Sequence, residues 1–166
     1  MKKLFLVAAV IFLVACSSDN DTTTPLVEIV PELPEEPEVP EPISIALEGH
    51  DNMTYVGNTA IQVSVGQEIT LTLTNVGQLP KESMGHNLVV LIPGTDLADF
   101  AGAAFGAKAD DYIPASFATS IVTHTNLLGP GESDTKTFQI NTPGTYDFVC
   151  SFPGHWGTMK GTFTVE

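Results

Sequence analysis

From residue 43 onward the chain alternates apolar and polar side chains, and turn residues cut that alternation into short runs. Few folds tolerate such a pattern. Ile61, Val63 and Val65 alternate with Gln62 and Ser64, and Ile69, Leu71 and Leu73 with Thr70 and Thr72. The same period of two returns at Thr137-Phe138-Gln139-Ile140, Tyr146-Asp147-Phe148 and Thr162-Phe163-Thr164-Val165. Successive side chains of a strand point to opposite faces, so each run reads as a strand with one face on a core. Leu88-Val89-Val90-Leu91-Ile92 is apolar throughout, the pattern of a strand covered on both sides. Val65-Gly66-Gln67, Gly129-Pro130-Gly131 and Thr142-Pro143-Gly144 are turn signals between the runs. The expected architecture is an all-β sandwich or barrel. Only residues 96–108 break the rule. Leu97, Phe100, Ala101, Ala104 and Phe105 fall at helical spacing behind Asp96 and Asp99, which predicts one short helix in a connection between strands.

The residues before the strands have another character. Met1-Lys2-Lys3 precedes an apolar run of eleven residues, 4–14. That length suits the core of a signal peptide and is too short for a mature membrane span. The run ends Leu13-Val14-Ala15-Cys16-Ser17-Ser18, which resembles the bacterial lipobox. The resemblance implies cleavage after residue 15 and lipidation of Cys16, a durable anchor because several acyl chains share one residue. Ser17, rather than an aspartate, follows the cysteine, so the expected location is the outer membrane, on its periplasmic or cell-surface face. Residues 16–42 then form a linker in which Pro25, Pro31, Pro34, Pro37, Pro40 and Pro42 are interspersed with Glu28, Glu32, Glu35, Glu36, Glu38 and Glu41. Fixed φ angles and like charges keep such chain extended. The 26 residues from 17 to 42 reach roughly 80 Å at ~3.1 Å each. The acidic run reads as a solvated spacer or, alternatively, as a site for a basic partner. One domain of ordinary size remains, residues 43–166. The whole chain carries 20 acidic residues against 6 lysines and no arginine, a net charge of −14, which excludes nucleic-acid binding through a basic face.

The chemistry is concentrated near the C-terminus. Cys150-Ser151-Phe152-Pro153-Gly154-His155-Trp156-Gly157-Thr158-Met159 spaces cysteine, histidine and methionine as C-x4-H-x3-M. The cysteine closes one predicted strand and the methionine leads into the next, so one tight loop presents three candidate ligands at one end of a sandwich. His86, in Met84-Gly85-His86-Asn87 just before the apolar strand, is a fourth. Thiolate and thioether suit cuprous ion, while imidazole suits both copper oxidation states. Three strong ligands leave water no easy place, which argues against a hydrolytic metal. Taken singly, Met159 reads as core, His155 as a surface residue and Cys150 as a small buried hydrophobe. Jointly they read as a metal site, because an unpaired thiol in an exported domain is a liability unless something occupies it.

These motifs resemble the azurins, small blue copper proteins with the cupredoxin fold, a Greek-key β-sandwich. The likeness is carried by Met84-Gly85-His86-Asn87, the cysteine-to-histidine loop with its four intervening residues, and Met159-Lys160-Gly161-Thr162. It extends through Leu79-Pro80-Lys81, Val122-Thr123-His124-Thr125, Leu128-Gly129 and Gly131-Glu132, and more weakly through residues 49–55. It implies one type 1 copper per chain held by His86, Cys150 and His155, with Met159 and the Gly85 carbonyl as weak axial contacts. It further implies that Asn87 pins the ligand loop, and that the N–H groups of Asn87 and Phe152 donate to the Cys150 sulfur. Met53, Met84, Gly154 and Trp156 would ring His155 as a docking face for redox proteins such as c-type cytochromes or a copper or haem reductase. Trp156 would either join that face or pack over the loop. His50 and His124 match no ligand.

Two departures stand out. Ile43 and Gln67 occupy the positions of the usual azurin disulfide, so the chain does without it. Leu88 replaces the tryptophan that often follows the asparagine. The implied function is electron transfer without enzymatic activity. Copper storage or delivery without redox turnover is the alternative. A copper oxidase or nitrite reductase would need more histidines than His50 and His124.

Overall fold

The computed structural model describes residues 40–166. The signal-peptide core, Cys16 and most of the linker lie outside the described residues. Among the described residues, nine strands build two sheets. The first has the order β2 (Thr54–Gly57), β1 (Ile43–His50), β4 (Glu68–Asn75), β7 (Ser133–Gln139); the second has the order β3 (Ala60–Val63), β9 (Lys160–Val165), β8 (Gly144–Val149), β5 (Val89–Leu91), β6 (Ile121–His124). β1 runs parallel to β4, and β3 parallel to β9; the remaining pairs are antiparallel.

Alternation explains the layers. Leu47, Ile69, Leu71 and Leu73 of the first sheet face Ile61, Val63, Val90, Phe148 and Phe163 of the second across one core. The threonines between the β4 apolar residues point outward, where Thr72 and Thr74 make 2.8 Å hydrogen bonds with Thr135 and Ser133 across the β4–β7 pair.

The continuous apolar run at residues 88–92 also has its cause. Val90 enters the main core, whereas Val89 and Leu91 lie with Phe100 and Val149 in a second cluster on the outer face of that sheet. Phe100 belongs to α2 (Leu97–Phe105), whose N-cap Asp96 accepts backbone N–H bonds from Ala98 and Asp99. Asp96 thereby satisfies two donors that a helix start leaves unpaired. Short pieces escape the sequence pattern: α1 (Lys81–Met84), a single turn, and 3-10 turns at Lys108–Asp110 and Ala115–Ser120. β7 begins at Ser133, four residues ahead of the run that signalled it.

Candidate metal centre

His86 and the 150–159 loop are more than sixty residues apart in the chain and meet at one end of the sandwich. His86 sits between α1 and β5, fixed by a two-bond bridge to Leu128: its N–H donates to the Leu128 carbonyl at 3.1 Å and its carbonyl accepts at 2.7 Å. Gly85 before it admits no side chain, since a Cβ there would lie 2.7 Å from the Lys81 carbonyl and 3.0 Å from Leu127.

Cys150 is the residue after β8, and its N–H bonds the Met159 carbonyl at 2.9 Å, closing the loop at its base. Inside, His155 N–H donates to Phe152, and the N–H groups of Thr158 and Met159 both donate to the His155 carbonyl. Gly154 takes φ +85°, the left-handed region that glycine enters without strain. The loop is therefore a stack of hydrogen-bonded turns that aims two side chains inward.

The ligand atoms of His86, Cys150 and His155 all lie within 4.8 Å of one another, and all three residues are buried. The Cys150 sulfur is 3.5 Å from Nδ1 of His155. Ligands bound at about 2 Å around one ion stand roughly this far apart. Met159 is fully buried, and its methyl carbon shares the space above Gly49 with the His86 ring: a Cβ at Gly49 would lie 3.1 Å from the one and 3.0 Å from the other.

Two observations show that these residues fit a metal. Both ring nitrogens of His86 are buried without a hydrogen-bond partner among the described residues. The His50 carbonyl is near enough to influence the ring but not at hydrogen-bonding geometry. Unsatisfied polar atoms in a core cost ~1–3 kcal/mol each, and a metal would satisfy one. The second is the donor set itself, one thiol and two imidazoles held neutral. Burial pushes the Cys150 thiol up to about 12, opposed by hydrogen bonds from the backbone N–H groups of Asn87 and Phe152. Burial, with His86 beside it, lowers His155 to about 4. Burial also lowers His86, although Asp51 and the His50 carbonyl pull the other way. Binding a metal would expel the Cys150 proton.

Asn87 couples the two halves of the site. Its Oδ1 accepts from the Ser151 N–H at 2.8 Å, and its Nδ2 donates to the Ser151 hydroxyl at 2.7 Å and the Asp111 carbonyl at 3.2 Å. Tyr55 donates its hydroxyl to the Asn87 carbonyl. Phe152 stacks on His155 at 4.7 Å, and Tyr112 packs edge-on against Phe152 at 5.0 Å. Sequence reading assigned no role to Gly49, Ser151, Asp111 or Tyr112. Ser151 had adjacency to Cys150 as its signal and Gly49 a weak family likeness over residues 49–55; the other two had none.

The remaining site residues are placed as follows. Met53 and Met84 are half-buried and Gly154 is exposed; Met53 accepts the Thr158 hydroxyl on its carbonyl at 2.8 Å. Trp156 is half-buried and packs toward α2, against the cluster of Val89, Leu91, Phe100 and Val149. His155 is 2% exposed. His50 pairs with Glu48 at the surface, and His124 stands in β6; neither joins the cluster.

A two-sheet sandwich that gathers His, Cys and His at one end defines the class, a cupredoxin with a mononuclear type 1 copper site. Residues 43–166 match the model of the copper binding proteins, plastocyanin/azurin family, and the chain belongs to that family. The chain is 35% identical to the azurin of Alcaligenes faecalis over 121 residues, 71% of this chain and 94% of that one. It is 38% identical to the azurin of Achromobacter denitrificans over 127 residues, 72% and 82% of the two chains. Among solved structures, dithionite-reduced auracyanin from Roseiflexus castenholzii superposes with a TM-score of 0.65 at 35% identity, over 74% of this chain and 96% of that one.

Proposed function

We propose that the chain is a one-electron carrier, tethered to the outer membrane through lipidated Cys16 and exchanging electrons with redox proteins such as c-type cytochromes or a copper or haem reductase. Copper bound by His86, Cys150 and His155, with Met159 alongside, would supply the reversible uptake and release of one electron. The chain's own residues do the rest. The Leu128 bridge and the Asn87–Ser151 bonds hold the ligand residues in place, so little has to rearrange when the charge changes. The sulfur keeps its two backbone donors, which tune the ease of reduction. The buried cluster keeps water from the metal.

That closed, rigid cluster is the observation that carries the reading. It also disfavours copper delivery, which needs a site that opens. Copper-loaded protein is expected to be intensely blue and reversibly reducible, and Cys150→Ser to be colourless. A blue Cys150→Ser protein would refute the ligand assignment. For the anchor, Cys16→Ser should move the protein from the membrane to the soluble fraction; continued membrane attachment would refute lipidation at that residue.

A further inference from the structure

Helix α2 has an apolar stripe too many. Phe100 and Ala104 are fully buried and account for its packing on the sheet. Ala98, Ala101, Gly102 and Phe105 follow one another at i, i+3, i+4 and i+7, so they form a second stripe. That stripe faces the ligand loop across a groove of about 400 Å³, with Pro153 and Trp156 on the opposite wall. Phe105 is 71% exposed, the most exposed large apolar side chain among the described residues. A Cβ at Gly102 would meet nothing within 4 Å, so the groove floor is open. None of the residues lining the groove is charged.

We propose that this groove is the docking site of a basic redox protein, one that inserts an apolar knob beside its exposed cofactor and surrounds it with lysines. The proposal rests on the electron-carrier reading and gives it a surface. Charge selects the occupant. Asp96 caps α2 and Asp99 stands on its first turn beside the groove residue Ala98, both exposed, and the chain carries −14 overall. A second copy and the chain's own glutamate-rich linker would both be repelled, whereas a lysine-rich protein is steered in. Position selects the function. Trp156 follows His155 directly, Pro153 precedes it by two residues, and the Phe152 ring packs at a tilt against the imidazole, 4.7 Å between centroids. A knob in the groove therefore sits one side chain from the metal ligands. His155 itself is only 2% exposed and offers little surface to grip.

The test is stopped-flow electron exchange between the copper-loaded protein and a small lysine-rich c-type cytochrome. Gly102→Gln fills the groove from its floor, and Phe105→Ser removes its rim; neither touches a ligand. Each is expected to slow exchange roughly tenfold while leaving the blue absorption and the reduction potential unchanged. Asp99→Asn should weaken the fall of the rate with added salt. Amide shifts on titrating the reduced protein with the cytochrome should concentrate on α2 and residues 153–156. Wild-type rates in both groove variants, with slowing instead in Met84→Gln, would place the partner over the other side of His155 and overturn the proposal. A self-association constant that Phe105→Ser abolishes would assign the groove to a second copy and overturn it equally. Wild-type protein that is blue yet inert toward the cytochrome would sink the electron-carrier reading, and the proposal with it.

Discussion

Asn87 shows how much one side chain can hold. It makes three hydrogen bonds, two to Ser151 of the ligand loop and one to the Asp111 carbonyl, in a position closed to water. Asn87→Ala strands the Ser151 N–H and hydroxyl together, and should cost about 3 kcal/mol of apoprotein stability in urea unfolding. Ser151→Ala removes one bond only and leaves Asn87 its Asp111 partner, so it should cost about 1 kcal/mol. Equal losses would refute the bridging role. The imidazoles give the apoprotein a pH dependence. An unfolded histidine takes its proton near 6.5, while folded His155 resists it down to about 4 and His86 is also lowered. Between those values the unfolded chain binds more protons, so stability is complete above about 6.5 and falls as the pH drops toward 4. Melting temperatures of the metal-free protein from pH 8 to pH 4 check this, and a flat profile would contradict it.

Elements were legible where period and length coincided. β3, β4 and β9 announce themselves by alternation, and α2 by its spacing and its Asp96 cap. α1 is four residues long, too short for any period to show. The parallel pairs β1–β4 and β3–β9 could not be read at all, because pairing partners are chosen by packing between distant segments. Nor could the turn at Asp111 and Tyr112, where two successive non-glycine residues take positive φ. The ligand loop was the opposite case: its residue types and spacing disclose the site, and the resemblance adds Asn87 as the residue that pins it, though not Ser151 as the partner that Asn87 holds. β9 contains a sharper test of packing. At Gly161 it passes so close to Phe148 and the Thr59 carbonyl that a Cβ would overlap both. Gly161→Ala should therefore destabilise the protein by about 2 kcal/mol or more, measured as a lower urea midpoint at unchanged slope. A neutral result would mean that the β8–β9 pair is more pliable than its geometry allows.

At the scale of the whole sandwich, two sheets enclose one core, with no disulfide among the described residues. Cys150 is the only cysteine among the described residues and is reserved for the metal site. Folding and metal binding are consequently linked. An ion that binds only the folded form at 100 times its dissociation constant adds about 2.7 kcal/mol. Copper or zinc should raise the melting temperature progressively with concentration, and a phosphine reductant should leave the metal-free protein unchanged. A reductant-sensitive apoprotein would point to a covalent crosslink that the fold does not use.

The direction of β1 has a consequence for how the molecule stands. Ile43 pairs with Ile69 at the beginning of β4, and six residues later Gly49 lies against the His86 ring. Seven steps of roughly 3.3 Å separate the two ends of the strand by about 23 Å. The polypeptide thus joins the sandwich at the foot and carries its metal ligands at the crown. Among the described residues, chain entry and metal chemistry therefore occupy opposite ends of one strand.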